Sequence, residues 1–157
     1  QPEYCSNAIN WYNHKFNHVL NQINDHFSKF RISDALMSTY KLIWDDFCSV
    51  LLEIIKPEYG KPIDSKTHRE IIKIFENNLL ILHPFMPFIT EEIWQQNKNR
   101  KNMIIHETWP EFPTVFYLED ENQKEINWLI DLIQEIRSAR SELSVMITMR
   151  SVAAFCR

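Results

Sequence analysis

Glycine is nearly absent from this chain: Gly60 stands alone among 157 residues. Sandwiches and barrels turn often and tightly, and glycine usually supplies the positive φ those turns need. Its scarcity excludes them and favours long helices with few connectors. Three cysteines, Cys5, Cys48 and Cys156, form neither a CxxC pair nor a metal-like spacing. That usage reads as reduced thiols in a cytoplasmic protein. No apolar run approaches the ~20 residues of a membrane span. The start, Gln1-Pro2-Glu3-Tyr4, carries no charged stretch followed by an apolar one, so no signal peptide is expected. It also lacks a Met, which suits a piece of a longer polypeptide. A Gly-rich phosphate loop, an HExxH pair and a nucleophile elbow are missing too, so no self-sufficient active site is expected.

What is present is apolar bulk, 45% of the residues, with ten Phe, five Trp and five Tyr. Ile9, Tyr12, Phe16, Val19, Leu20, Ile23 and Phe27 recur in steps of three and four, predicting a helix over 4–29. A break follows at Lys29-Phe30-Arg31, with Ser33 as the expected cap of a second helix over 34–56. Leu36, Tyr40, Ile43, Trp44, Phe47, Leu51, Ile54 and Ile55 form its expected apolar face, and Pro57 stops it. A third helix runs from about Ser65 to His83-Pro84, and a short fourth begins at Pro87. Residues 97–122 read as an irregular insert with a basic Lys98–Lys101 run and a strand-like Met103–His106. Asn122 and Glu125 resemble a capping box opening a fifth helix that reaches at least Glu142. The expected fold is all-α, an antiparallel bundle of four to five helices.

Several residue sets invite a chemical reading. His14 and His18 sit four apart and could face one metal, but no third ligand is near, so ordinary exposed histidines are expected. Asp45-Asp46 and Glu91-Glu92 point about 100° apart on a helix and do not converge, so both pairs read as solvated. On the second helix Asp34, Lys41, Asp45 and Lys56 share a polar stripe with Trp44 at its border. Lysines there could hold phosphates and an aromatic could stack on an unpaired base; Trp44 and Phe47 could equally be core. Arg140 falls within the Leu129, Ile133, Ile136 stripe, with Arg137 at its edge. It either pairs with a carboxylate inside the bundle or marks a face that meets RNA. The net charge of −4 lowers the expectation of nucleic-acid binding without excluding it, because local placement of cations decides.

The segments Phe30-Arg31-Ile32-Ser33-Asp34-Ala35-Leu36, Tyr40–Cys48, Lys56-Pro57 and Leu82–Trp94, in this order and spacing, resemble the anticodon-binding domain of valyl-tRNA synthetases, class I enzymes. Trp109-Pro110 and Ile136-Arg137-xx-Arg140-x-Glu142 match later parts of that pattern, and the likeness covers about residues 7–143. The His83–Trp94 stretch recurs across the leucyl, isoleucyl and valyl enzymes; Trp44-Asp45-Asp46-Phe47-Cys48 favours the valyl one. Where the family has a Trp-Tyr pair, this chain has Val50-Leu51, and after Val145 the tail departs from the pattern. The resemblance implies a binding bundle over 1–145, a tail over 146–157, and catalytic and editing domains lying before residue 1. The parent enzyme would join valine to its tRNA with ATP and Mg; neither HIGH nor KMSKS occurs here, so this piece would carry no cofactor and no catalysis. It would act as a monomer, off the membrane, holding the tRNA(Val) anticodon stem-loop. Arg31, Lys41, Trp44, Phe47, Lys56, Arg137 and Arg140 are the candidate contacts. The isoleucyl enzyme and a helical interaction domain with no RNA role are the alternatives.

Overall fold

A computed structural model describes residues 2–96, 102–111 and 121–142, the last helix without the side chains of 121–123 and 141. Helix α1 spans Glu3–Ser28, about 39 Å at 1.5 Å per residue. Its buried residues include Cys5, Ile9, Tyr12, Phe16, Leu20 and Ile23, the spacing that puts one row on one side. The helix stops where Phe30 takes φ 58 and the Arg31 amide returns to the His26 carbonyl at 2.8 Å. That is a left-handed cap filled by an aromatic residue instead of the usual glycine.

The next rod is α2 (Ile32–Lys41), a π-helical stretch (Leu42–Leu51) and α3 (Leu52–Ile55), without interruption. It starts two residues earlier than the sequence suggests, with Arg31 at the N-cap and no side-chain cap, so Ser33 does not play that role. The buried row differs from expectation as well. Ala35, Thr39, Leu42, Phe47 and Leu51 face the core, whereas Leu36, Tyr40 and Trp44 face out. A step of five from Leu42 to Phe47 reflects the wider π turn, which rotates the inward face partway along the rod. Thr39 is tolerated inside because its hydroxyl donates to the Ala35 carbonyl at 2.9 Å.

Helix α4 (Ser65–Leu82) is capped by Asp64, whose carboxylate accepts from the Thr67 amide at 2.9 Å. Cys5 lies beside Thr67 and Tyr12 beside Asn78, so α1 and α4 run the same way. Lys15 against Asp46, Tyr12 against Phe47, and Ala8 and Ile54 in one crevice wall set the middle rod antiparallel to both, as expected of the bundle. After the turn at Pro84, α5 (Pro87–Gln95) opens on proline. The Thr90 hydroxyl donates to the Met86 carbonyl at 2.8 Å and lies 2.7 Å from His83 Nδ1.

The strand expected at Met103–His106 is instead a 3₁₀ turn over Ile104–His106. Side chains hold it: the Ile104 amide donates to Glu91 at 2.9 Å, the Trp94 indole to the Asn102 carbonyl at 3.2 Å. Ile104 plugs a small core with Leu79 and Trp94, and no strand lies among the described residues. Helix α6 (Glu121–Glu142) packs on α1, where Trp11 donates to Asn127 at 2.8 Å. The Asn122 capping box, the Lys98–Lys101 run and the tail fall outside the described residues or side chains. No described helix is long and apolar enough to cross a membrane.

Candidate nucleic-acid interface

The outward face of the second rod carries Ile32, Leu36, Tyr40 and Trp44 at four-residue steps, all exposed. Tyr40 and Trp44, 53% and 58% exposed, stack on each other with centroids 6.3 Å apart and planes 10° apart. Two flat rings held parallel and open to solvent form a platform for a third flat ring. Lys41 is exposed between them in sequence and has no ion pair among the described residues. Tyr40 is the residue that sequence reading missed here. Its four-residue spacing from Trp44 was the available signal, and it pointed equally well to the core.

A crevice of about 460 Å³ opens next to this platform, between α1, the π stretch and α6. Its walls are Val50, Ile54, Ile126, Leu129, Ile130 and Ile133, and its rim carries Asp45, Ser49, Gln134 and Arg137. Asp45 on its rim follows Trp44 in the chain. The crevice exists because α6 leans on α1 alone among the helices in substantial contact. Beyond it Ile136 and Arg137 are exposed. Arg140 is half-buried, with no carboxylate partner among the described residues.

The remaining expected contacts scatter. Arg31 caps α2 about 20 Å from Trp44, its guanidinium 3.7 Å from Asp25. A hydrogen bond from Lys29, and then the charges of Lys29 and Arg31, hold the Asp25 carboxyl below its ordinary value. Lys56 follows α3 at the opposite end of the rod, 3.4 Å from Glu53. Phe47 is 5% exposed and wedged between Tyr12 and Phe75, with centroids 5.6 and 6.2 Å away. It is core, and no base reaches it while the bundle is closed. Trp44 is not core. Lys41 and Trp44 are thus exposed on the second rod and Arg137 on the rim of the crevice, with Arg31 and Lys56 at the two ends of the rod.

One member of each acidic pair departs from the solvated reading, while Asp45 and Glu92 are exposed as expected. Asp46 is largely covered and binds Lys15 at 2.6 Å, and burial pushes its carboxyl above the usual range despite that lysine. Glu91 accepts from Gln95 as well as from Ile104. Burial also raises the Cys5 and Cys48 thiols. Among the described residues no three His, Cys, Asp or Glu gather into a metal-binding group, and His18 bonds Gln22.

Fold and surface together define a class: an all-α bundle presenting stacked aromatic rings beside unpaired cations. Residues 10–150 match the family described as the anticodon-binding domain of tRNA ligase. The chain belongs to that family. It is 49% identical over 150 residues to a valine–tRNA ligase of Christiangramia forsetii, covering 92% of this chain and 16% of that protein. Similar matches are the valine–tRNA ligases of Phocaeicola vulgatus, 50% identical over 64% of this chain and 12% of the relative, and of Rhizobium meliloti, 33% identical over 92% and 16%. The chain thus spans about one eighth to one sixth of the length of these relatives.

Proposed function

We propose that this chain is the tRNA-holding module of a cytoplasmic valine–tRNA ligase, with residues 1–145 gripping the anticodon stem-loop of tRNA(Val). The observation that carries this reading is the exposed Tyr40–Trp44 stack beside Lys41, at the edge of a crevice bearing Arg137. Unstacked loop bases lie on the rings, Lys41, Arg137 and Arg140 hold phosphates, and the crevice takes a splayed base. Arg31 and Lys56 mark the ends of the contact. Activation of valine with ATP and Mg, and editing, belong to domains of the same polypeptide outside this chain. Holding the stem-loop fixes where the distant acceptor end falls, so binding energy here appears as aminoacylation rate there. The module acts as a monomer.

The test is a binding titration of valine tRNA and an unrelated tRNA at two salt concentrations. Tighter binding of valine tRNA, weakened by Trp44→Ala, supports the reading; equal binding of both tRNAs at moderate salt overturns it. A second reading has its own observation: Ile32, Leu36 and Met37 extend the exposed face with aliphatic side chains, which suit a protein contact better than a base. Undiminished tRNA binding in Leu36→Ser and Trp44→Ala variants would favour that reading.

A further inference from the structure

Helices α1 and α4 enclose a second concavity, a cleft of about 350 Å³ floored by Ile9 and Ile74. Its walls are largely carboxamide and imidazole: Asn10, Asn13, His14 and Asn17 from α1, Asn77 and Lys73 from α4. Three- and four-residue steps put the α1 set on one face. Two polar atoms in this wall are buried without a partner, Asn17 Oδ1 and His14 Nε2. Asn17 itself is only 9% exposed. Buried polar atoms are rarely left unmet, and here neighbouring side chains do not meet them.

Lys73 brings a positive charge to this wall. Arg69 and Lys66 precede it at four- and three-residue steps on α4, all three exposed and none in an ion pair among the described residues. Elsewhere Lys15, Lys29, Lys56 and Lys61 are each matched by a carboxylate. Glu70, the one carboxylate in the cleft wall, already has an interaction of its own. A row of unmatched cations beside a carboxamide-rich hollow that can both donate and accept hydrogen bonds fits an anion carrying a hydroxyl. A ribose–phosphate unit has that chemistry, and its 2′-hydroxyl both donates and accepts.

We propose that this face of α1 and α4 is a contact for the ribose–phosphate backbone of RNA, separate from the aromatic platform. Lys66, Arg69 and Lys73 neutralise phosphates, and Asn17 with His14 receives a 2′-hydroxyl. The inference rests on the RNA-binding reading above and adds a second point of attachment that reads RNA against DNA without reading sequence.

The test uses the full chain with three probes: a valine tRNA transcript, an all-deoxy strand of the same sequence, and AMP. A Lys66→Gln, Arg69→Gln, Lys73→Gln triple variant changes exposed side chains only, so it keeps its fold. It should bind the transcript at least tenfold more weakly, with a salt slope shallower by about 2, from roughly 0.7 per single-strand phosphate contact. Asn17→Leu should reduce the preference for the transcript over the deoxy strand, with folding checked by its urea midpoint. Unchanged affinity and slope in the triple variant, while Trp44→Ala still weakens binding, would overturn this inference and leave the proposed function standing. Failure of the unaltered chain to bind the transcript would sink both. AMP that binds the cleft without competing with the transcript would make it a free-nucleotide site and contradict the proposal.

Discussion

Phe47 and Trp44 are three residues apart on one rod, yet one is buried and the other exposed, and paired substitutions separate a core role from the proposed RNA contact. Phe47→Ala removes a ring packed on Tyr12 and Phe75. Truncating a buried Phe costs about 3–5 kcal/mol. In a chain of this size that lowers the melting temperature by roughly 6–20 °C. Trp44→Ala removes a ring that is more than half exposed, so its effect on stability stays within about 0.5 kcal/mol. Its effect on RNA is the larger one, because a base–aromatic stack is worth about 1–3 kcal/mol, or roughly 5- to 150-fold in affinity. The assay is a urea titration of each variant alongside a stem-loop binding curve taken below the unfolding transition. Phe47→Leu serves where the alanine variant is too unstable to bind. The reasoning is refuted by the reverse pattern: a Phe47→Leu protein that folds normally but loses RNA, or a Trp44→Ala protein that unfolds readily and binds normally.

Other consequences follow from single contacts. Tyr12→Phe removes a donor from the buried Asn78 carbonyl, 2.8 Å away, and should cost about 1–3 kcal/mol in a urea titration; no loss would mean that water reaches that site. Phe30→Gly relieves a left-handed backbone at a ring that is 88% exposed, for a net gain of about 0.5 kcal/mol after glycine's extra unfolded entropy; destabilisation would show that the ring is packed. Asp64→Ala should lower the melting temperature at neutral pH. The hydrogen bonds from Thr67 depress the Asp64 carboxyl below 3.8, so its stabilisation is present above that value and fades as pH falls through the folded one. Melting curves of the two proteins should converge in acid. Asp46 has the opposite sign: burial raises its folded value, so its carboxylate disfavours folding as pH climbs above 3.8. Asp46→Asn should flatten that part of the stability–pH curve, and an unchanged curve would contradict the burial.

Much of the fold was readable because helix periodicity is a local property. Ile9, Tyr12, Phe16, Leu20 and Ile23 repeat with one period, and one rigid helix results. Pro57, Pro84 and Pro87 set breaks that depend only on proline's own geometry. The second rod misled because its period changes inside it. Nothing in Leu42–Leu51 announces a π turn, and fixed helical spacing carried Leu36, Tyr40 and Trp44 inward when they face solvent. The Met103–His106 segment misled for a different reason: its conformation is fixed by Glu91 and by a pocket beside Trp94, both distant in sequence terms from any strand signal. As for the interface, Trp44, Lys41 and Arg137 were named from pattern and are all exposed, whereas the Tyr40–Trp44 stack and the crevice beside α6 needed the three-dimensional packing. The α1–α4 cleft was invisible as well, since asparagines spaced along a helix look like an ordinary solvated face.

The central claim is that the bundle recognises the anticodon arm of valine tRNA, and one comparison tests it most directly. A valine stem-loop and the same stem-loop with its anticodon bases exchanged are titrated against the chain at a single moderate salt concentration. The phosphates are identical in the two, so any difference comes from the bases. The account predicts at least tenfold weaker binding of the exchanged loop, with the gap narrowing in Trp44→Ala. Equal affinity for the two loops would contradict it and reduce the surface to a nonspecific contact.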